Sequence, residues 1–224
     1  MKILSVRRGF ASDHSSTSYE FLTVDKPLSK SERAEVSKLS SRAYATARRV
    51  NFTYHVDGYD IPGGWKKLME QYYDVMYSES YGWWTLAIAF NASPGQFEKL
   101  LPYEFSDADD FGVDVVEKGE RIIITIHCRL ELGMSYSDQY GDYYEDEDMD
   151  DDDENGGIET GDELLNVLVQ IRKQIVCGDY RALYAVWEKY GYEDEDNEEV
   201  PPKPRDRKTG EETIRNFENI LISL

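Results

Sequence analysis

An α+β fold, with a mostly antiparallel five- to six-stranded sheet, flanking helices and a C-terminal helical hairpin, is what this sequence predicts. Three patterns carry that expectation. Val50, Phe52, Tyr54 and Val56 alternate with Asn51, Thr53 and His55, the period of a strand with one buried face. Residues 112–116 and 121–130 flank Glu117-Lys118-Gly119-Glu120, a hairpin connection in which glycine is free to take positive φ. Leu164, Leu168, Ile171 and Ile175, then Tyr180, Leu183, Tyr184, Trp187 and Tyr190, recur at helical spacing on either side of Cys177-Gly178-Asp179.

The remaining elements follow in order. Ile3, Leu4 and Val6 form a β-prone start, and Glu20-Phe21-Leu22-Thr23-Val24 a second such run, so the two are expected to pair as antiparallel neighbours. Ser29 and Glu32 fit a capping box before Ala34, Val36 and Leu39. Trp65, Leu68, Met69, Tyr72, Tyr73, Met76 and Tyr77 predict one helix with a broad aromatic face. The eight residues from Trp83 to Phe90 lack alternation, as a central strand covered on both faces does. A brief helix is expected around Phe97, Leu100 and Leu101. In the helical hairpin Gly178 is expected to end the first helix and Asp179 to cap the second, and Ile214, Phe217, Ile220, Leu221 and Leu224 predict a last helix. The organisation expected is a sheet domain at 1–130, an acidic flexible loop at 131–160 and a helical segment at 161–224 packing on the same core. An acidic and Pro-rich linker at 193–209 interrupts that last segment.

The chain has 224 residues and a formal net charge of -20. Ten carboxylates and no cation lie in 142–154, and six more carboxylates lie in 193–199. Removing those 16 charges from 20 leaves 4, an ordinary surplus for a soluble domain. Packed like charges without apolar partners do not offset the entropy of ordering, so 142–154 reads as a solvated loop. No Lys/Arg stripe at helical or strand spacing offers a face for phosphates, and nucleic-acid binding is not expected. No apolar run approaches the ~20 residues of a membrane span, and no leader is recognisable, so a cytoplasmic location is expected. Cys128 and Cys177 sit in apolar segments and read as buried free thiols of a reducing compartment.

Among candidate sites, the segment from Arg7 to Tyr19 crowds cations, hydroxyls and a histidine together. Arg7, Arg8, His14, Ser15 and Ser16 there suit an anion or a partner, since guanidinium groups and a hydroxyl-rich turn hold phosphate or carboxylate. The string Asp13-His14-Ser15 is no triad, because triads are assembled in space. His127 and Cys128 are neighbours on a strand, so their side chains point to opposite faces. A groove lined by the aromatic helix and Trp83-Trp84, with Asp60, Asp74 and Glu79, is a weaker enzyme reading. In the acidic tract, Asp146, Asp148, Asp150, Asp151 and Asp152 read as partner-docking charges. As an EF-hand the tract fails, because Asp153 stands where the loop needs glycine. No metal site and no cofactor are expected.

Ser5-Val6-Arg7-Arg8-Gly9-Phe10 with Asp13-His14-Ser15-Ser16, Tyr72-Tyr73-Asp74-Val75 with Trp83-Trp84-Thr85-Leu86, and Gly178-Asp179-Tyr180-Arg181-Ala182-Leu183-Tyr184 resemble a group of uncharacterised bacterial proteins. The resemblance implies a protein partner, since such proteins are often encoded beside a SWIM-type zinc-finger protein, and it implies no activity or cofactor. The function expected is thus a non-enzymatic acidic adaptor or regulatory subunit acting on a partner with a basic surface. The alternative is a phosphate- or nucleotide-handling enzyme at the N-terminal Arg/His/Ser turn.

Overall fold

The computed structural model describes residues 17–41, 43, 45–54, 60–106, 110–132, 162–191 and 200–222. Seven strands run through them: β1 (Thr17–Leu22), β2 (Arg49–Tyr54), β3 (Val75–Ser80), β4 (Trp83–Asn91), β5 (Phe105–Ser106), β6 (Gly112–Lys118) and β7 (Arg121–Cys128). They form one antiparallel sheet in the order β2-β1-β3-β4-β7-β6-β5. The α+β class is as the sequence predicts, with one more strand than its upper expectation.

The helices are α1 (Lys30–Ser37), α2 (Trp65–Gln71), α3 (Phe97–Leu100), α4 (Glu163–Val176), α5 (Arg181–Tyr190) and α6 (Glu211–Ile220). They divide between the two faces of the sheet, because successive strand residues point opposite ways. Phe21, Met76, Ala87 and Ala89 join Val36 of α1 and Leu68 and Met69 of α2 in one core. Leu22, Val75, Tyr77, Leu86 and Ile88 join Leu168 of α4, Leu183 of α5 and Phe217 of α6 in the other. Burying each such side chain stabilises the fold by about 1.5–3 kcal/mol, enough for the two cores to hold a sheet of this width between them.

Local chemistry explains the ends of these elements. The Ser29 hydroxyl accepts the Glu32 N–H while the Glu32 carboxylate accepts the Ser29 N–H, the expected capping box of α1. Asp162 caps α4 by accepting the N–H groups of Leu164 and Leu165, and Gly178, at φ 73°, ends that helix as expected. The cap of α5 differs from the expectation. Tyr180 occupies that position, and the Asp179 carboxylate is taken up by the guanidinium of Arg181 at 2.7 Å.

Two other expectations are corrected. The run from Trp65 to Tyr77 is not one helix, since α2 stops at Gln71 and Val75 opens β3. Asp74 makes the break: its N–H donates to Leu22, and its carboxylate accepts the N–H groups of Val24 and Asp25 and the Thr23 hydroxyl. A central strand buried on both faces is apolar throughout, so its residues continue a helical spacing by coincidence. β1 is bonded to β2 on one edge and to β3 on the other, and the run at 3–6 expected beside it lies outside the described residues. Finally, Cys128 is buried and Cys177 exposed, both as free thiols.

Two ionic clusters lie inside the molecule. Asp74 meets Arg121 at 2.7 Å and Arg172 at 3.8 Å, tying β3, β7 and α4 to the turn after β1. Burial pushes its carboxyl up, but the amides of Asp25 and Val24 with Arg172 and Arg121 outweigh that and hold it below the ordinary carboxylate range. In the second cluster Arg49 bridges Glu20 at 3.0 Å and Asp162 at 3.2 Å, while Tyr77 donates to Asp162 and Asn51 donates to Glu20. One cation shared by two carboxylates leaves a net negative charge there, and burial raises the Glu20 carboxyl despite Arg49.

Candidate functional site

One end of the sheet collects the features that point outward. Antiparallel pairing places the starts of β1, β4 and β6 beside the ends of β2, β3 and β7: Thr17 faces Tyr54 and Ser80, Ser80 faces Trp83, and His127 faces Gly112. The β3–β4 connection there is the two-residue turn Tyr81-Gly82, with φ of 54° and 80°. Both signs are those of a tight hairpin that matches the twist of its strands. Tyr81 is 50% exposed and Trp83 is 41% exposed, so the turn presents two large aromatic rings to solvent.

Behind Trp83 runs a ladder of rings. Trp83 stacks on Phe111 at 4.8 Å and 12°, and Phe111 stacks on the buried Tyr190 of α5 at 4.9 Å and 16°. The Arg129 guanidinium lies 5.0 Å from the Trp83 ring and 5.9 Å from the Phe111 ring. The guanidinium therefore lies over both rings of the stack.

The same ladder joins the described residues next to 133–161 and 192–199. Tyr190 accepts the Arg129 N–H at 3.1 Å and donates to the Arg129 carbonyl at 3.2 Å. Arg129 precedes Leu132, the last described residue before 133–161, and Tyr190 precedes Gly191, the last before 192–199. A β-bridge between Leu130 and Leu221, with Glu131 N–H bonded to Ile220, fixes the Arg129 end further.

Beside the ladder is an open cavity of about 580 Å³ whose lining includes Glu104, Ser106, Asp110, Phe111, Asp114 and His127. His127 is half-buried, with Nδ1 3.4 Å from the Thr85 hydroxyl. Burial, and then Lys66, lower its pKa against the pull of Asp114 and Asp110, so the imidazole stays neutral near neutral pH. Cys128 points into the opposite core, as neighbouring strand residues must, and burial pushes its thiol far above the ordinary value. These two residues therefore form no nucleophile–base pair.

Of the residues singled out from sequence, Arg7, Arg8, His14, Ser15 and Ser16 lie outside the described residues, as do Asp146, Asp148, Asp150, Asp151 and Asp152, and His55. Thr17, the first described residue after Ser16, meets the Ser80 hydroxyl with its own at 2.9 Å. The groove reading is not supported in its acids. Asp74 is locked in its ion pairs, Asp60 accepts from Tyr19, and Glu79 accepts the N–H of Gly82. Among the described residues no group of three or more His, Cys, Asp or Glu is placed to hold a metal ion, and no helix is long and apolar enough to cross a membrane. Comparison with known protein-family models, curated proteins and solved structures gave no significant match.

Phe111, Arg129 and Tyr190 were not legible as a site. They come from a loop, a strand end and a helix far apart in the chain, and only the exposed Trp83 beside Trp84 gave a local signal.

Proposed function

We propose that this protein is a non-enzymatic adaptor or regulatory subunit that acts by binding a protein partner with a basic surface. One observation carries the reading, the partition of charge between the described residues and the rest of the chain. The described residues hold 21 Lys/Arg against 23 Asp/Glu, a net of -2, while the others hold 4 against 22, a net of -18. Within the body, several of the cations are committed: Arg49, Arg121, Arg172 and Arg181 each pair with a carboxylate at 3.2 Å or less. A near-neutral body can pack without self-repulsion, and charge concentrated in attached segments steers association with an oppositely charged surface.

The test is affinity capture with the tagged full chain and with a variant lacking 142–154, at low and high salt, read by mass spectrometry. The reading expects one recurrent basic protein that is retained by the full chain at low salt and released at high salt. It also expects weaker retention by the deletion variant. Equal, salt-insensitive recovery by both chains would remove the acidic tract from the function.

A further inference from the structure

We infer that Tyr103, Tyr180 and Tyr184 form a receptor for a proline-rich segment, occupied by the chain's own residues 200–204 until a basic Pro-x-x-Pro segment of the partner displaces them. The inference rests on the adaptor reading and names the kind of segment its partner presents. The sequence dictates the shape of this strap. Pro201, Pro202 and Pro204 hold their own φ at about -65°. Val200, Pro201 and Lys203 each precede a proline and are turned away from the helical region. Residues 200–206 accordingly form neither helix nor strand, and burial recurs three residues apart, fully at Pro201 and in part at Pro204, with Pro202 and Lys203 exposed between them. Three residues per turn is the period of polyproline II, so one edge of the strap faces the body.

The body meets the strap with phenols. Tyr103, just past α3, is buried, and its hydroxyl donates to the Pro202 carbonyl at 2.8 Å. Tyr180 packs its ring against Tyr103 at 5.4 Å, and Tyr184 stands one turn further along α5. Burial, and then Tyr180 and Tyr184, push the Tyr103 phenol up to about 12, so it keeps its proton and can donate. Grouped aromatic rings are what recognition of a preformed Pro-x-x-Pro helix uses.

The strap is also held so that it can leave. Prolines have no N–H to leave unpaired, and among the described residues 203–206 make no hydrogen bond to the body. Beyond them the chain is pinned: Arg181 donates to the carbonyls of Arg207 and Thr209, each at 2.7 Å, and Gln174 to that of Gly210 at 3.1 Å. Release of 200–204 therefore breaks the Tyr103 bond and leaves α6 in place. Lys203 and Arg205 are exposed on the resident segment, so the receptor accepts a basic ligand, the charge that the adaptor reading requires of the partner.

The test titrates labelled peptides into the full chain and follows fluorescence anisotropy. One peptide copies residues 200–208, and its control carries Pro201→Ser and Pro204→Ser at unchanged charge. In the protein, the same two substitutions release the resident strap. A tethered segment competes at an effective concentration on the millimolar scale, so the released chain is expected to bind the copy peptide roughly 10-fold or more tightly than the parent does. Adding Tyr103→Phe, which keeps the ring, should weaken that binding about 2- to 10-fold. Thermal melts check that each variant folds, and Pro204→Ser alone serves if the double substitution unfolds the chain. Equal affinity for the two peptides, lost at high salt, overturns the inference and leaves the adaptor reading standing, since charge alone is then read. Binding of the copy peptide that strap release and Tyr103→Phe both leave unchanged overturns the inference as well. Undetectable binding of both peptides to the released chain at low salt overturns the two readings together.

Discussion

The phenol of Tyr190 closes on the backbone of Arg129 from both sides, accepting its N–H at 3.1 Å and donating to its carbonyl at 3.2 Å. One α5 side chain thereby satisfies the Arg129 N–H and shares the Arg129 carbonyl with the Ile222 N–H. Tyr190→Phe keeps the ring that stacks on Phe111 but removes the acceptor of the Arg129 N–H, while Ile222 still donates to the carbonyl. A partly buried donor left unmatched costs about 1–3 kcal/mol, so urea denaturation should show a loss at the lower end of that range with little change in slope. A variant as stable as the parent would mean that water replaces the phenol at no cost.

Asp74 is the ionic centre of the fold, and its removal should be severe. Asp74→Ala removes the carboxylate partner of Arg121 and the longer of the two ion pairs of Arg172, which keeps Asp25, and leaves the amides of Val24 and Asp25 without their acceptor, an expected loss of about 3–5 kcal/mol. Its folded pKa lies below the ordinary 3.8, so its contribution is present above that value and fades as pH falls through the folded one. Asp74→Asn should therefore be less stable than the parent at neutral pH, with the gap narrowing on acidification below about pH 4. A constant gap across that window would show that the carboxylate's charge is not what matters.

Glu20 titrates in the opposite sense. Burial raises its folded pKa above the ordinary 4.5, so its stabilising contribution belongs to the protonated form and is lost as pH rises through the folded value. Glu20→Gln removes the surplus charge while Arg49 keeps Asp162 as a partner. The stability of this variant relative to the parent should rise between the unfolded pKa and neutrality, then level off. Parallel stability curves for the two proteins across that range would contradict the assignment.

What the sequence disclosed and withheld follows from whether the signal was local. The capping box at Ser29 and Glu32, the Gly119 hairpin and the Gly178 helix end each depend on a few adjacent residues, and each was readable. The α2–β3 boundary was not, because Asp74 ends the helix by reaching amides that belong to the turn after β1, about fifty positions earlier. Cys177 follows the same logic: Ile175 faces the core, but Val176 and Cys177 at the end of α4 are exposed, although their apolar character read as buried. The candidate site was half legible. The concentration of charge is a property of composition, whereas the Trp83–Phe111–Tyr190 ladder exists only after a helix has crossed the sheet.

Tyr81 carries a conformational cost that one substitution can remove. It holds φ 54° at the first central position of the β3–β4 turn, a left-handed conformation that costs a side-chain-bearing residue about 1–2 kcal/mol. Asparagine tolerates that conformation well and, with Gly82 following, completes the favoured sequence of such a turn. Tyr81→Asn should thus gain about 1 kcal/mol in chemical denaturation. A variant no more stable than the parent would show that the turn relaxes around tyrosine without strain.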